Sequence, residues 1–217
     1  LGPGKSLWTS SNTFIASANC ARYCGADVDF IDIDLESGLI SINDLKRKLE
    51  KAKIENNLPH IVIPVHFGGA SCDMLAINKL ANEYGFYIIE DASHAIGGLY
   101  KEQPVGSCKY SSISVFSFHP VKIITTGEGG VATTNDETLE IKMRELRSHG
   151  VVKDTSRFEE KSVGSWFYEQ QDLGFNYRLT DFQAALGLSQ LNKLDLILKE
   201  RNYQRNLYKE ILNDLPL

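Results

Sequence analysis

One aspartate and one lysine stand at the ends of two stretches that have the pattern of β-strands. Asp91 closes the apolar run 86–91, and Lys122 follows the alternating run 111–118 just after Pro120. Alternating polar and apolar residues indicate a half-buried strand, and a proline cannot continue a central one. In open α/β sheets ligands bind at the carboxyl ends of the strands. The sequence therefore predicts that this carboxylate and this amine belong to one site.

The pair has the chemistry that an enzyme using pyridoxal phosphate needs. A lysine amine can hold the aldehyde of that cofactor as a Schiff base and later act as a base. A carboxylate beside the pyridine nitrogen keeps the nitrogen protonated, which lets the ring accept electrons. The hydroxyl of Ser117 lies just before the lysine and can bind the phosphate. The alternative is that Lys122 is a solvated surface charge, and the residues alone leave both interpretations open.

The stretches around these residues alternate between strand and helix patterns. This alternation predicts an α/β fold with a mostly parallel sheet and helices on both faces. Before Lys122 the predicted strands cover residues 7–10, 28–34, 60–67 and 86–91, and the predicted helices cover 11–25, 41–57 and 73–84. After Lys122 we expect a strand that doubles back at 130–134 and a helix at 136–148. A further helix is expected to start near residue 180, and the helical pattern continues over 186–212. The segment 149–171 is predicted to be an exposed loop, either a lid or a dimer contact.

Composition excludes several other classes of protein. The 217 residues suffice for one large domain, and a net charge of −5 argues against nucleic acid as the main partner. No apolar run approaches the length of a membrane span, and four cysteines do not make a disulfide scaffold. We therefore expect a cytoplasmic protein without a metal site, in which Cys20 and Cys24 are buried free thiols. We expect that the sequence is part of a longer chain that continues beyond both ends.

Three further motifs have ordinary interpretations that we prefer. Gly4-Lys5-Ser6 could end a phosphate-binding P-loop, but a turn is the simpler interpretation, because the earlier glycine and strand of that motif are missing. The acids of the strand at 28–34 suggest a solvated edge more than a metal site. His66, at a strand end, is expected to be structural.

Four segments carry a resemblance to a known family: 91–97, Ser117-Phe-His-Pro-Val-Lys122, 127–130 and 174–178. Together they resemble the DegT/StrS family of sugar-nucleotide aminotransferases, in the family's order and over nearly the whole chain. The sequence around Lys122 most resembles that of the branch that serves pseudaminic acid biosynthesis. The resemblance implies the large domain of type I aminotransferases, of the aspartate aminotransferase kind. Residues 1–192 would be part of that domain, and 193–217 a helix leading to a small C-terminal domain.

The same resemblance implies further site residues. Phe14 would pack on the cofactor ring, with a core phenylalanine as the alternative, and His94 would reach the phenolic oxygen of the ring. Asn176 would cross to the neighbouring subunit and bind its cofactor phosphate, and Arg178 would add charge there. The implied enzyme is a homodimer with shared active sites. It would pass an amino group from glutamate, which becomes 2-oxoglutarate, to a UDP-linked 4-keto-6-deoxy sugar.

Three other functions stay open at this point. A sugar dehydratase of the same family would have histidine in place of Lys122, so the lysine speaks against it. A non-catalytic binding or regulatory protein could keep the fold, and a P-loop nucleotide enzyme would have to bind nucleotide near Lys5. The glycine–threonine turn by which the family cradles the phosphate from the other side is absent from the sequence.

Overall fold

A six-stranded sheet forms the centre of the computed structural model, which describes residues 1–161, 164–213 and 215. The strands are β1 (Ser6–Ser10), β2 (Asp27–Ile31), β3 (Ile61–Ile63), β4 (Tyr87–Asp91), β5 (Leu99–Tyr100), β6 (Gln103–Pro104), β7 (Ile113–Ser117), β8 (Gly130–Thr133), β9 (Val151–Val152) and β10 (Glu169–Gln170). The central sheet has the order β2-β1-β3-β4-β7-β8. All of its neighbours are parallel except β7 and β8, which confirms the strand that doubles back.

Helices cover both faces of this sheet, as predicted. They are α1 (Ala16–Tyr23), α2 (Ile42–Ile54), α3 (Met74–Tyr84), α4 (Glu137–Leu146), α5 (Asp181–Leu191) and α6 (Leu194–Ile211). Successive strand residues point to opposite faces. Leu7 therefore packs with Ala21 of α1, whereas Trp8 packs with Leu45 of α2 and Ile77 of α3. The two buried clusters hold the parallel strands in place, so the strands' carboxyl ends meet at one edge.

Two predicted helices have different limits in the structure. The first begins at Ala16 and not at residue 11, because the Ser11 amide donates to the carbonyl of Ile31 and prolongs the sheet pairing. The predicted helix over 186–212 is two helices. The Lys193 amide donates to the Gln190 carbonyl in a tight turn at the end of α5, and α6 then starts at Leu194.

The segment 149–171 is more ordered than the predicted loop. β9 and β10 pair antiparallel, a short 3-10 helix spans Thr155–Arg157, and Val152 is buried. The part of this segment at residues 162 and 163, and the end of the predicted last segment at 214, 216 and 217, lie outside the described residues.

Two expectations about polar residues have different outcomes. Cys20 and Cys24 are free thiols but exposed, so their predicted burial is wrong; both lie on the solvent side of α1 and its end. The acids of β2 lie on an edge strand, where Asp27 pairs with Arg22 and Asp29 with Lys48. The described residues hold no cluster of metal-binding side chains and no helix long and apolar enough to cross a bilayer.

Candidate active site

A cavity of about 450 Å³ lies where the parallel strands end. Asp91 is the last residue of β4, Ser117 is the last of β7, and Lys122 follows on the loop after β7. Five of the seven predicted site residues line this one cavity: Phe14, Asp91, His94, Ser117 and Lys122.

The carboxylate of Asp91 is fixed by two donors. The Ser17 hydroxyl donates to Oδ2 at 2.6 Å, and the Ser93 amide donates to Oδ1 at 3.1 Å. Ser17 in turn accepts from the Thr13 hydroxyl at 2.9 Å. These bonds stabilise the ionised carboxylate and set its orientation in the cavity. Sequence reasoning missed Ser17, although the spacing of Thr13 and Ser17, four apart at a helix start, was a usable signal.

Glu90 faces the other side of β4 and belongs to a buried network. Its carboxylate accepts from His66 Nε2 at 2.8 Å, from the Ser114 hydroxyl at 2.8 Å and from the Ser111 hydroxyl. Burial alone would raise the pKa of Glu90, but the hydrogen bonds from His66, Ser111 and Ser114 outweigh it, so the pKa lies below its ordinary value. The Cys72 amide donates to His66 Nδ1 at 3.2 Å, so Nε2 bears the proton. This pairing agrees with the expectation that His66 is structural.

His94 has one defined tautomer in the cavity. The Gly68 amide donates to its Nδ1 at 3.3 Å, so Nε2 carries the proton of the neutral ring. Burial lowers the pKa of His94, and the positive charge of Lys122 lowers it further. At neutral pH the imidazole is therefore an uncharged donor through Nε2. A donor of this kind suits a phenolate oxygen.

The loop that carries Lys122 is anchored on both sides. The Lys122 amide donates to the His119 carbonyl at 2.9 Å, and the His119 amide donates to the Ser117 hydroxyl at 3.3 Å. Downstream, Ile124 is buried and the Thr125 hydroxyl donates to the Phe118 carbonyl at 2.9 Å. Within the described part of the chain, the ammonium group of Lys122 has no hydrogen bond or ion pair, which leaves it available to a ligand.

Phe14 projects apolar surface into the same cavity. Its side chain is 73% exposed, which is unusual for a phenylalanine followed by a helix that packs on the core. The alternative that it is a core residue is therefore wrong. A planar ligand ring lying on Phe14 would cover this surface.

Asn176 and Arg178 do not line this cavity. Asn176 pairs with Ser148 in an isolated bridge, and Arg178 lines a different cavity of about 660 Å³ beside Arg144 and Arg157. The helix predicted from Thr180 is α5, and Thr180 caps it by accepting from the Gln183 amide. The structure thus brings five predicted residues together and keeps two apart from them.

The fold is that of the large domain of type I pyridoxal phosphate aminotransferases. The sequence profile of the DegT/DnrJ/EryC1/StrS aminotransferase family matches residues 1–217. The chain belongs to this family.

Individual relatives agree with this assignment. UDP-4-amino-4,6-dideoxy-N-acetyl-β-L-altrosamine transaminase of Campylobacter jejuni is 42% identical over 212 residues, which are 98% of this chain and 52% of that protein. Helicobacter pylori PseC, an aminotransferase of pseudaminic acid biosynthesis, superposes with a TM-score of 0.85 at 32% identity, over 100% of this chain and 53% of that one.

A third relative bears on the cofactor. Spr1654 of Streptococcus pneumoniae, a putative sugar aminotransferase solved in a PLP form, superposes with a TM-score of 0.82 at 26% identity, over 98% of this chain and 55% of that one. Pyridoxal phosphate is thus the cofactor of this family's fold. The chain spans about half the length of the curated relatives it matches.

Proposed function

We propose that this chain forms the pyridoxal phosphate site of an aminotransferase that moves an amino group from glutamate to the keto group of a sugar nucleotide. The observation that carries the proposal is the convergence of Lys122, Asp91 and His94 on one cavity. When bound, the cofactor supplies an aldehyde that links to amines and a cationic ring that takes up the electron pair left when a proton departs from the adjoining carbon.

The side chains of the cavity fit this cofactor in kind and in place. An unpaired amine on Lys122 suits the aldehyde, and the fixed carboxylate of Asp91 suits a ring nitrogen that must stay positive. The Nε2 proton of His94 suits the phenolic oxygen, and the hydroxyl of Ser117 suits the phosphate. Phe14 offers a flat apolar surface for one face of the ring.

Each residue then has a definite role. Lys122 Nζ holds the cofactor between turnovers and afterwards moves a proton to or from the carbon that bears the transferred amine. Asp91 maintains the positive charge that makes this carbon acidic. Asp91 is itself held by Ser17, so its carboxylate does not have to be ordered when the ligand binds.

A homodimer with shared sites is part of the proposal. α5 exposes an apolar surface with Phe182 at 91%, Leu188 at 63% and Leu186 at 43% exposure. A helix with large apolar side chains exposed and no buried residue lacks a covering partner, and a second copy of the chain is the occupant that would also bring Asn176 and Arg178 to a cofactor phosphate. Arg178 lies just before the start of α5, where the helix dipole favours an anion.

The acceptor that we propose is a UDP-linked 4-keto-6-deoxy sugar, since the Campylobacter relative is named for the corresponding 4-amino-4,6-dideoxy product. Glutamate is the proposed donor. A cytoplasmic location belongs to the same proposal, because four free thiols, two of them exposed, suit a reducing compartment.

Borohydride reduction in the presence of pyridoxal phosphate, followed by peptide mapping, tests the proposed site. We expect a reduced pyridoxyl adduct on Lys122 and none in Lys122→Ala, which we also expect to lack turnover. Lys101→Ala is the matched control, because Lys101 is exposed and does not line the cavity. An adduct on another lysine would refute the assignment.

A further inference from the structure

A second cavity, of about 490 Å³, adjoins the one that we assign to the cofactor. Its walls are one face of α6 and two glycine pairs, Gly68–Gly69 and Gly97–Gly98. His94, Val121 and Lys122 line both cavities, so the second one opens directly onto the amine.

The charge of this cavity has one sign. Arg201 and Arg205 of α6 line it together with Lys122, and no acidic residue lines it. Neither arginine forms an ion pair or a hydrogen bond with any residue that the structure describes. Two unpaired guanidinium groups and an ammonium group around one concave space attract a multiply charged anion.

The packing of α6 directs these arginines to the cavity. Leu198 sits on Gly97, and a Cβ built at Gly97 would lie 2.5 Å from the Leu198 side chain. Arg201, Asn202 and Arg205 follow Leu198 at intervals of three, four and seven residues, which places them on the same face of the helix. The contact at Gly97 thus sets how closely α6 approaches this wall of the cavity.

We propose that Arg201 and Arg205 bind the diphosphate of the sugar nucleotide. This inference rests on the proposed function and names the part of the substrate that the site recognises. The arginines lie one helical turn apart, about 5–6 Å between their Cβ atoms, so each guanidinium can bind one of two linked phosphates with paired hydrogen bonds. The sugar would then extend from the diphosphate toward Lys122, where its keto carbon must react.

Titration calorimetry of the purified holoprotein with UDP and with GDP tests the proposal without turnover. We expect both nucleotides to bind more weakly as salt increases, and we expect Arg201→Gln and Arg205→Gln each to weaken binding by roughly tenfold. Arg205→Lys keeps the charge but loses the paired geometry, so its effect should be smaller. Lys199→Gln is the matched control: it removes a positive charge from α6 outside the cavity and should leave the affinity unchanged.

The outcomes separate this inference from the proposed function. Affinities for UDP and GDP that do not change in the double variant Arg201→Gln/Arg205→Gln, with circular dichroism as in the wild type, would overturn the inference. If the double variant raises the KM for glutamate by a larger factor than it raises the Kd for UDP, the inference is also overturned, because the arginines would then serve the amino donor. If wild-type holoprotein binds UDP but glutamate does not change the absorbance of its cofactor, the proposed function fails while the diphosphate site stands.

Discussion

The strand-end cavity and the surface around α5 differ in how far the side chains are hydrogen-bonded or buried within their own chain. At this end of the strands, the carboxylate of Asp91 has two donors in the cavity, and the carboxylate of Glu90, on the other face of β4, has three. Around α5, Phe182 and Tyr177 are 91% and 72% exposed, and none of the described residues of that helix is buried. In the first region, the carboxylates already have their hydrogen-bond partners within the chain. The second has the composition of an interface, and Asn176 and Arg178 lie within it.

The comparison also separates two kinds of function. Groups that are proposed to hold a ring and move a proton must be rigid, and the sheet edge and its hydrogen bonds would supply that rigidity. Groups that serve a neighbouring subunit must instead be presented outward, with apolar surface beside them to form the contact. Substitutions in the two regions should therefore fail in different ways.

The largest effect is expected from Asp91→Asn. The variant keeps the shape of the side chain but loses the charge that stabilises a protonated ring nitrogen. We expect kcat to fall by roughly 10²–10⁴-fold, about 3–5 kcal/mol in the barrier, while the protein still binds cofactor. Steady-state kinetics and the cofactor absorbance measure the two parts. Near-normal turnover in this variant would contradict the proposed role of Asp91.

Phe182→Glu should act on assembly and leave the fold intact. The exposed ring would be replaced by a charge within the proposed contact, so we expect the dimer dissociation constant to rise by roughly 100-fold or more. Analytical ultracentrifugation measures it. Leu35→Glu is the matched control, since Leu35 is 92% exposed but lies on the turn after β2. If Phe182→Glu is as dimeric as the wild type, α5 is not the interface.

Glu90→Gln should act on stability and on its pH dependence. Because the pKa of Glu90 is depressed in the folded protein, its contribution is present above its unfolded pKa and is lost as the pH falls through the folded value. We expect a loss of about 1–3 kcal/mol of unfolding free energy near neutral pH and a smaller difference from the wild type in acid. Urea unfolding at several pH values measures both. A difference that stays constant with pH would contradict this account.

Ser17→Ala should have the smallest effect. It removes one donor from Asp91, and the Ser93 amide keeps the other. We expect kcat to fall by about fivefold, close to the worth of one hydrogen bond, with no change in the affinity for the sugar nucleotide. Ser17→Thr, which keeps the hydroxyl, should recover most of the activity. A fall in stability without a fall in kcat would make Ser17 purely structural.

Sequence patterns predicted the first region better than the second, for a physical reason. Strand alternation separates Glu90 from Asp91, and Pro120 ends the strand before Lys122, so local rules bring these groups to one edge. The break between α5 and α6 was missed because both helices continue the same apolar spacing across Asn192 and Lys193. Ser17 and Gly68 were missed because their bonds to Asp91 and His94 join residues distant in sequence.

The start of the first helix shows the same limit. Residues 11–13 look like caps, but pairing of Ser11 with Ile31 continues the sheet and delays the helix to Ala16. That delay leaves Phe14 exposed beside the cavity and brings Ser17 to Asp91. A tertiary contact, the pairing of Ser11 with Ile31, therefore determines where the helix begins, and the positions of Phe14 and Ser17 depend on that start.

Mixed dimers test the central claim, a cofactor site completed by a second copy of the chain, most directly. Lys122→Ala and Asn176→Asp are each expected to be inactive as homodimers. In a hybrid dimer, one of the two sites would receive both native residues, so an equal mixture after subunit exchange should recover about a quarter of wild-type activity. Exchange and folding are checked by tagged pull-down and circular dichroism. A mixture that contains hybrid dimers but stays inactive would contradict the shared site and return Asn176 to a role within its own chain.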